Sequence, residues 1–411
     1  MAKVAIMGFG TVGSGVAEVL AGNAASIEKK AGEPVEVKYI LDLREFPDSP
    51  FADRIVHDFS VIENDPEVTV VAECIGGARI AREYTARALK AGKSVVTSNK
   101  EVVAECGDEF LEIAREKNVN YLFEASVGGG IPILRPLTSC LAANEITEIY
   151  GILNGTTNYI LTKMIKEGLS FDTALRQAQE KGYAEADPTA DIEGHDACRK
   201  ICILASLAFG RHVYPRQVPT TGITGVTSED VALAHAAGKR IKLLGRTLRL
   251  DDGKIIAYVA PHLIDDGEQL AGVEDVFNGI VVRGNAIGDV MFYGRGAGKL
   301  PTASAVAGDI IDAVKHRQER RTGMEWIPGG DEIMGDYQDL PVRWYVRVSG
   351  DFAESHPNAA AHMLGGVSLI DVPEREDCAG MITKNAMSRR ELDRRLAEAG
   401  TEALSIFPVL D

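Results

Sequence analysis

No stretch of this 411-residue chain approaches the roughly 18 uninterrupted apolar residues that a membrane-spanning helix needs, so no span is expected. The apolar run ahead of Gly8 is too short for a signal-peptide core plus a cleavage site. Cysteine is sparse and scattered: Cys74, Cys106, Cys140, Cys198, Cys202 and Cys378 contain no CxxC pair. Cys198 and Cys202 stand one helical turn apart, like half of a metal site. No His/Cys pair elsewhere has matching spacing, so reduced core thiols are the better reading. Positive charge is in deficit, with 44 Lys+Arg against 60 Asp+Glu and a formal net charge of -16. So acidic a chain repels phosphate backbones, which argues against nucleic acid as a partner, and an anionic substrate would need a local cluster of positive charge. Aromatics make up only 6%, yet 45% hydrophobic and 25% charged residues are the proportions of a globular protein with ample core material. These absences describe a soluble, cytoplasmic protein, and its length suggests two or three domains.

Strand-like and helix-like runs alternate at the start. Residues 3–8 form a short apolar run ended by glycine, and residues 11–20 place Val12, Val16, Val19 and Leu20 on one helical side. Further strands are predicted over 35–41, 68–72, 94–97 and 121–123, with helices over 80–91 and 110–117. This rhythm predicts an α/β fold, a doubly wound parallel Rossmann sheet over residues 1–144. The pattern then changes. Residues 145–153 and 253–260 alternate like antiparallel strands, with helices over 158–167, 171–181 and 194–209, so residues 145–294 read as a second, α+β domain. A helix over 301–313, with proline in its first turn, crosses back, so that residues 295–318 complete the nucleotide domain. The basic stretch 315–323 together with Pro328-Gly329-Gly330 reads as a linker. Residues 340–411 form a small α+β unit, with strands over 342–348, 367–372, 379–383 and 403–409 and a helix over 389–399.

Gly8-Phe9-Gly10-Thr11-Val12-Gly13 fits G-x-G-x-x-G and lies between a predicted strand and a predicted helix, the context a dinucleotide turn requires. The first glycine permits the turn, the second lets backbone approach a pyrophosphate, and the third lets helix and strand pack closely. The helix N-terminus then offers N–H groups to phosphate. The next strand ends at Leu41-Asp42-Leu43-Arg44. An acid here suits the ribose hydroxyl of NAD and an arginine suits the 2′-phosphate of NADP, so Asp42 and Arg44 point opposite ways.

Three other segments carry candidate chemistry. Thr97-Ser98-Asn99-Lys100 ends the fourth strand, where ligands of open α/β sheets bind, so Lys100 is either directed towards the cofactor or a surface lysine in a loop. Residues 124–132, EASVGGGIP, follow a strand, and their glycines allow unusual torsions and free carbonyls. Such carbonyls with one carboxylate suit a hard cation, though a flexible crossover fits equally well. Residues 182–200, GYAEADPTADIEGHDACRK, run into an uncharged helical stretch over 201–210. A helix apolar on every side is buried. Asp196 and Lys200 share one helical face with Ile203 and Leu207. An exposed pair at this spacing would add only about 0.3–0.5 kcal/mol, whereas a buried charged pair is costly unless partnered or used. His195 reads as a base or, more simply, as a structural hydrogen-bonder.

These segments, with residues 151–161 (GILNGTTNYIL) and 294–306 (GRGAGKLPTASAV), resemble the homoserine dehydrogenase family over about residues 1–315. The resemblance implies an NADP(H)- or NAD(H)-dependent interconversion of L-aspartate 4-semialdehyde and L-homoserine, and a catalytic domain that also forms a homodimer or higher oligomer. It implies that Lys100 and Lys200 are the catalytic lysines, with Lys200 the proton donor and Asp196 the acid beside it. It implies that Glu185 binds substrate, and that Gly8, Phe9, Gly10, Thr11, Val12, Gly13, Arg44, Thr97, Lys100 and Gly296 line the cofactor. Glu124, Val127, Gly129 and Ile131 match a monovalent-cation site (Na+ or K+) built mostly of backbone carbonyls. The last 70 or so residues resemble an ACT domain in outline. They depart from it at Asp351–Asn358, where a ligand loop of the type D-x-P-G-V-L is missing, which puts feedback control by threonine in doubt. A rival, aspartate-semialdehyde dehydrogenase, needs an activated cysteine nucleophile, and no cysteine here lies in such a motif. A catalytically silent nucleotide-binding sensor is disfavoured by the presence of both lysines and Glu185.

Overall fold

The computed structural model describes residues 1–350, 366–370 and 378–411. The first sheet contains β1 (Ala2–Met7), β2 (Val35–Leu41), β3 (Ile55–Val56), β4 (Val68–Glu73), β5 (Ser94–Thr97) and β6 (Tyr121–Leu122). All pair in parallel, in the order β3-β2-β1-β4-β5-β6. β1, β4 and β5 are almost wholly buried, as in a sheet covered on both faces, which is why they read as mainly apolar runs and not as alternating ones. The strand order reverses between β1 and β4, so the crevice beyond their C-terminal ends is the natural ligand position.

A second sheet contains β7 (Ile146–Ile152), β8 (Lys239–Arg249), β9 (Ile255–Asp265), β10 (Phe277–Gly284) and β11 (Gly288–Arg295), in the order β11-β10-β7-β8-β9. A third contains β12 (Trp344–Ser349), β13 (Val367–Ile370), β14 (Cys378–Thr383) and β15 (Ser405–Pro408), antiparallel in the order β13-β14-β12-β15. The chain forms two compact units, one of Met1–Thr147, Cys202–Pro215 and Arg283–Gly330, the other of Glu148–Ile201, Arg216–Val282 and Asp331–Asp411.

In the first unit, helix Lys299–Lys315 packs on helix Thr11–Gly22 so tightly that a Cβ at Gly15 would stand 3.0 Å from the Cβ of Ala303. In the second, Ile256, Tyr258 and Ala260 of β9 share one core with Trp344, Val346 and Val348 of β12 and with Leu392 and Leu396 of helix Arg389–Glu398. The C-terminal sheet therefore completes its core with β9. Asp230, fully buried on helix Ser228–Ala236, reinforces the join by accepting from Tyr345 (3.0 Å), Arg347 (2.8 Å) and Ser405 (3.0 Å). The divergent loop expected at Asp351–Asn358 lies outside the described residues.

The structure departs from the sequence reading at several points; besides β3, β10 and β11, which that reading does not anticipate, three stand out. The stretch expected to be a linker is anchored: Met324 and Trp326 are buried, and the Trp326 indole donates to His212 Nδ1 at 3.0 Å and packs against Phe123. Strand β8 escapes the alternation test because it carries buried lysines. Lys242 donates to Asn158 Oδ1 (3.0 Å) and to the Val273 carbonyl (2.6 Å), and burial pushes its pKa down to about 8. The helix expected from residue 110 begins at Lys100, because Asn99 caps it by accepting from the Val102 N–H.

Candidate active site

The turn after β1 is built for close backbone approach. Gly8 has φ +89°, and a Cβ there would stand 2.7 Å from the Cys74 carbonyl oxygen. A Cβ at Gly13 would stand 1.8 Å from the Gly8 carbonyl oxygen, so only glycine allows the helix to start so near the strand. Helix Thr11–Gly22 starts at Gly10 without a side-chain cap, which leaves its first N–H groups, among them those of Thr11 and Val12, for an anion. The Phe9 N–H donates to Asp42 Oδ2 at 2.8 Å. Arg44 donates to the same carboxylate from its backbone and its guanidinium, which holds the Asp42 carboxyl down at about 2. The Arg44 side chain is 64% exposed.

At the end of β5, the buried Thr97 hydroxyl donates to Glu73 Oε2 at 2.6 Å. The Asn99 amide donates to the carbonyls of Ile75 (3.2 Å) and Gly77 (2.9 Å) while its oxygen caps the following helix. Lys100, half-buried, is the first residue of that helix.

In the other unit the motif over 182–200 gathers a second set. Lys200 is 8% exposed on helix His195–Phe209, and its ammonium donates to Asp196 Oδ2 and to the Leu153 carbonyl, each at 2.7 Å. Asn154 donates to Asp196 Oδ2 (2.8 Å) and to Asp191 Oδ1 (2.7 Å), and its own oxygen accepts from the Thr157 N–H. Burial, with the Asp196 charge beside it, raises the Asp191 pKa. Glu185 lies exposed on the preceding loop. Sequence reasoning found Asp196 and Lys200 but assigned nothing to Asn154 or Asp191. The available signal was an asparagine directly ahead of a Gly-Thr-Thr helix start, since an N-cap residue at a strand end can turn its amide sideways.

The loop over 124–132 is buried within the first unit except at its last glycine and at Pro132. Gly129 has φ +53°, and a Cβ there would stand 2.5 Å from the Gly296 carbonyl oxygen, so the two glycine turns press together. The Glu124 carboxylate does not face a vacant centre. It accepts from the N–H groups of Ile133 (2.7 Å), Leu134 (3.0 Å) and Arg135 (2.7 Å). The carboxylate expected to face a cation is therefore taken up by main-chain N–H groups. Neutral hard oxygens suit a monovalent ion and not a transition metal. Among the described residues no group of three or more His, Cys, Asp or Glu could hold a metal, and no helix is long and apolar enough to cross a membrane.

The comparisons with known proteins agree with this geometry. Residues 8–124 match the model of the homoserine dehydrogenase NAD-binding domain, and residues 132–311 that of homoserine dehydrogenase itself. A homoserine dehydrogenase of Synechocystis is 44% identical, covering 99% of each chain. The chain belongs to the homoserine dehydrogenase family. The crystal structure of a homoserine dehydrogenase from Thiobacillus denitrificans superposes with a TM-score of 0.89 at 33% identity, covering 100% of this chain and 98% of that one. A hyperthermophilic archaeal homoserine dehydrogenase in complex with NADPH gives 0.64 at 29% identity over 76% of this chain and 97% of its own. Members of this family are NAD(P)-dependent oxidoreductases acting on the homoserine hydroxyl group. The chain thus interconverts L-homoserine and L-aspartate 4-semialdehyde, in the biosynthesis of threonine, methionine and isoleucine.

Proposed function

We propose that Lys200 is the general acid–base of this reaction. The observation that carries the reading is its buried ammonium, aimed by Asp196 and the Leu153 carbonyl. Two of its three N–H bonds are used there, and the third serves the substrate oxygen. The bound nicotinamide supplies or accepts the hydride. As the aldehyde is reduced, negative charge grows on its oxygen, and an ammonium in a water-poor site both stabilises that charge and donates its proton. In the oxidative direction the same group, once deprotonated, takes the proton of the homoserine hydroxyl. Glu185 and Asp196 hold the substrate's α-ammonium group, and Lys100 orients the substrate. Lys200→Ala lowers turnover by about 10²–10⁴-fold with folding intact, and a loss under about tenfold overturns the assignment.

The turn over Gly8–Gly13, with Thr97 and Gly296, binds the dinucleotide, and Arg44 reads the 2′-phosphate of NADP(H). The exposure of its guanidinium and the prior engagement of Asp42 favour this cofactor over NAD(H). The carbonyls of Glu124, Val127, Gly129 and Ile131 hold a monovalent cation, Na+ or K+, whose role is to stiffen the loop. The chain works as a cytoplasmic homo-oligomer built on its catalytic domain, residues 145–294, and also has a nucleotide domain over 1–144 completed by 295–318 and an ACT-like domain over 340–411.

A further inference from the structure

Glu73 has no part in the mechanism above, yet it occupies a telling position. It ends β4, opposite Met7 of β1 and Thr97 of β5, at the point where the strand order reverses. Its side chain is wholly buried. One carboxylate oxygen accepts from the Ile75 N–H at 2.7 Å and the other from the Thr97 hydroxyl at 2.6 Å. The Thr97 oxygen in turn accepts from the Asn99 N–H at 2.9 Å, and the Asn99 amide returns to the Ile75 and Gly77 carbonyls. One acid thus closes a ring through both loops that follow β4 and β5.

We propose that Glu73 is a positioning residue for cofactor binding, its ionised carboxylate locking the loop over 74–77 to the turn over 97–100 that carries Lys100. The inference rests on the nicotinamide cofactor lying at this sheet edge, and not on the role given to Lys200. The lock is sensitive to protonation. A carboxylate accepts both donors, whereas a protonated carboxyl places a hydrogen against the Thr97 hydroxyl and deprives it of its acceptor. Burial pushes the Glu73 carboxyl up to about 7. The other titratable groups facing it are the Cys74 thiol and the Tyr121 phenol on β6, both raised by burial and by the Glu73 charge, so both stay neutral across this range.

The test is NADPH affinity, read from nicotinamide fluorescence without substrate, between about pH 5.5 and 8.5. In the wild type, Kd rises roughly three- to tenfold as pH falls through about 7. Glu73→Gln, which keeps the shape and mimics the protonated acid, binds weakly at all pH values and loses that component, while the titration of the cofactor's own phosphate is common to both proteins. Thr97→Val, which removes the donor and also a dinucleotide contact, is read by loss of the pH-dependent component alone, and serves if Glu73→Gln does not fold. Lys200→Ala keeps the wild-type profile, which separates failure of this proposal from failure of the catalytic assignment. Identical profiles in wild type and both variants, or tighter wild-type binding at low pH, overturn the proposal.

Discussion

The two lysines assigned to the chemistry are placed by different devices. Lys200 is fixed at its tip: a buried ammonium bound to Asp196 and to the Leu153 carbonyl, on a helix whose later residues are apolar core. Lys100 is placed from its root, as the first residue of a helix started by Asn99, within a turn tied to Glu73 through Thr97. A tip-held charge suits a proton that must pass to one oxygen. A lysine at the start of a helix, carried by a braced turn, suits orienting a substrate. The contrast also shows where each site is vulnerable, one at a single carboxylate and the other in its backbone.

The comparison can be broken by removing each support. Asp196→Asn has the largest effect. Leaving the Lys200 charge buried without its partner lowers stability by about 3 kcal/mol and turnover by about 10- to 100-fold, read from denaturant unfolding and kcat. Asn99→Ala follows. Loss of the cap removes about 1 kcal/mol, and kcat/KM falls about tenfold through KM, because only the turn has loosened. If Asn99→Ala depresses kcat as deeply as Asp196→Asn does, the turn does not serve Lys100 through placement alone. The smallest effect sharpens the contrast. Since the Glu73 pKa rises on folding from its ordinary 4.5 to about 7, the stability its acid form contributes is present below 4.5 and lost as pH rises through 7. The Tm of Glu73→Gln therefore gains on the wild type by a few degrees between about pH 6 and pH 8 in thermal melts. A purely structural hydrogen-bonding residue would lower Tm at both.

Much of the nucleotide unit was legible because its elements are local. Gly8, Gly10 and Gly13 directly follow a strand that is apolar but for Lys3, and β1, β4 and β5 are buried runs centred on Val, Ile and Ala. The pairing of Asp196 with Lys200 was legible for the same reason, since four residues make one helical turn. What escaped was long-range or disguised. Lys239 and Lys242 hide β8 from any alternation test, because each is buried on partners distant in sequence. Asn154 reaches residues 37 and 42 positions away, and Glu73 meets Thr97 24 positions on, so no local pattern announces either. Trp326 looked like part of a linker because composition registers the arginines around it and not the pocket formed by Gly107 and Phe123.

The central claim is that a sequestered ammonium, and not water or another side chain, supplies the proton that accompanies hydride transfer. The most direct measurement is single-turnover hydride transfer in Lys200→Met, followed by the absorbance of the reduced nicotinamide, with NADPH affinity titrated in parallel. Cofactor binding stays within about twofold of wild type and transfer slows by about 10²–10⁴-fold. Transfer within about tenfold of wild type, with binding intact, would contradict the claim.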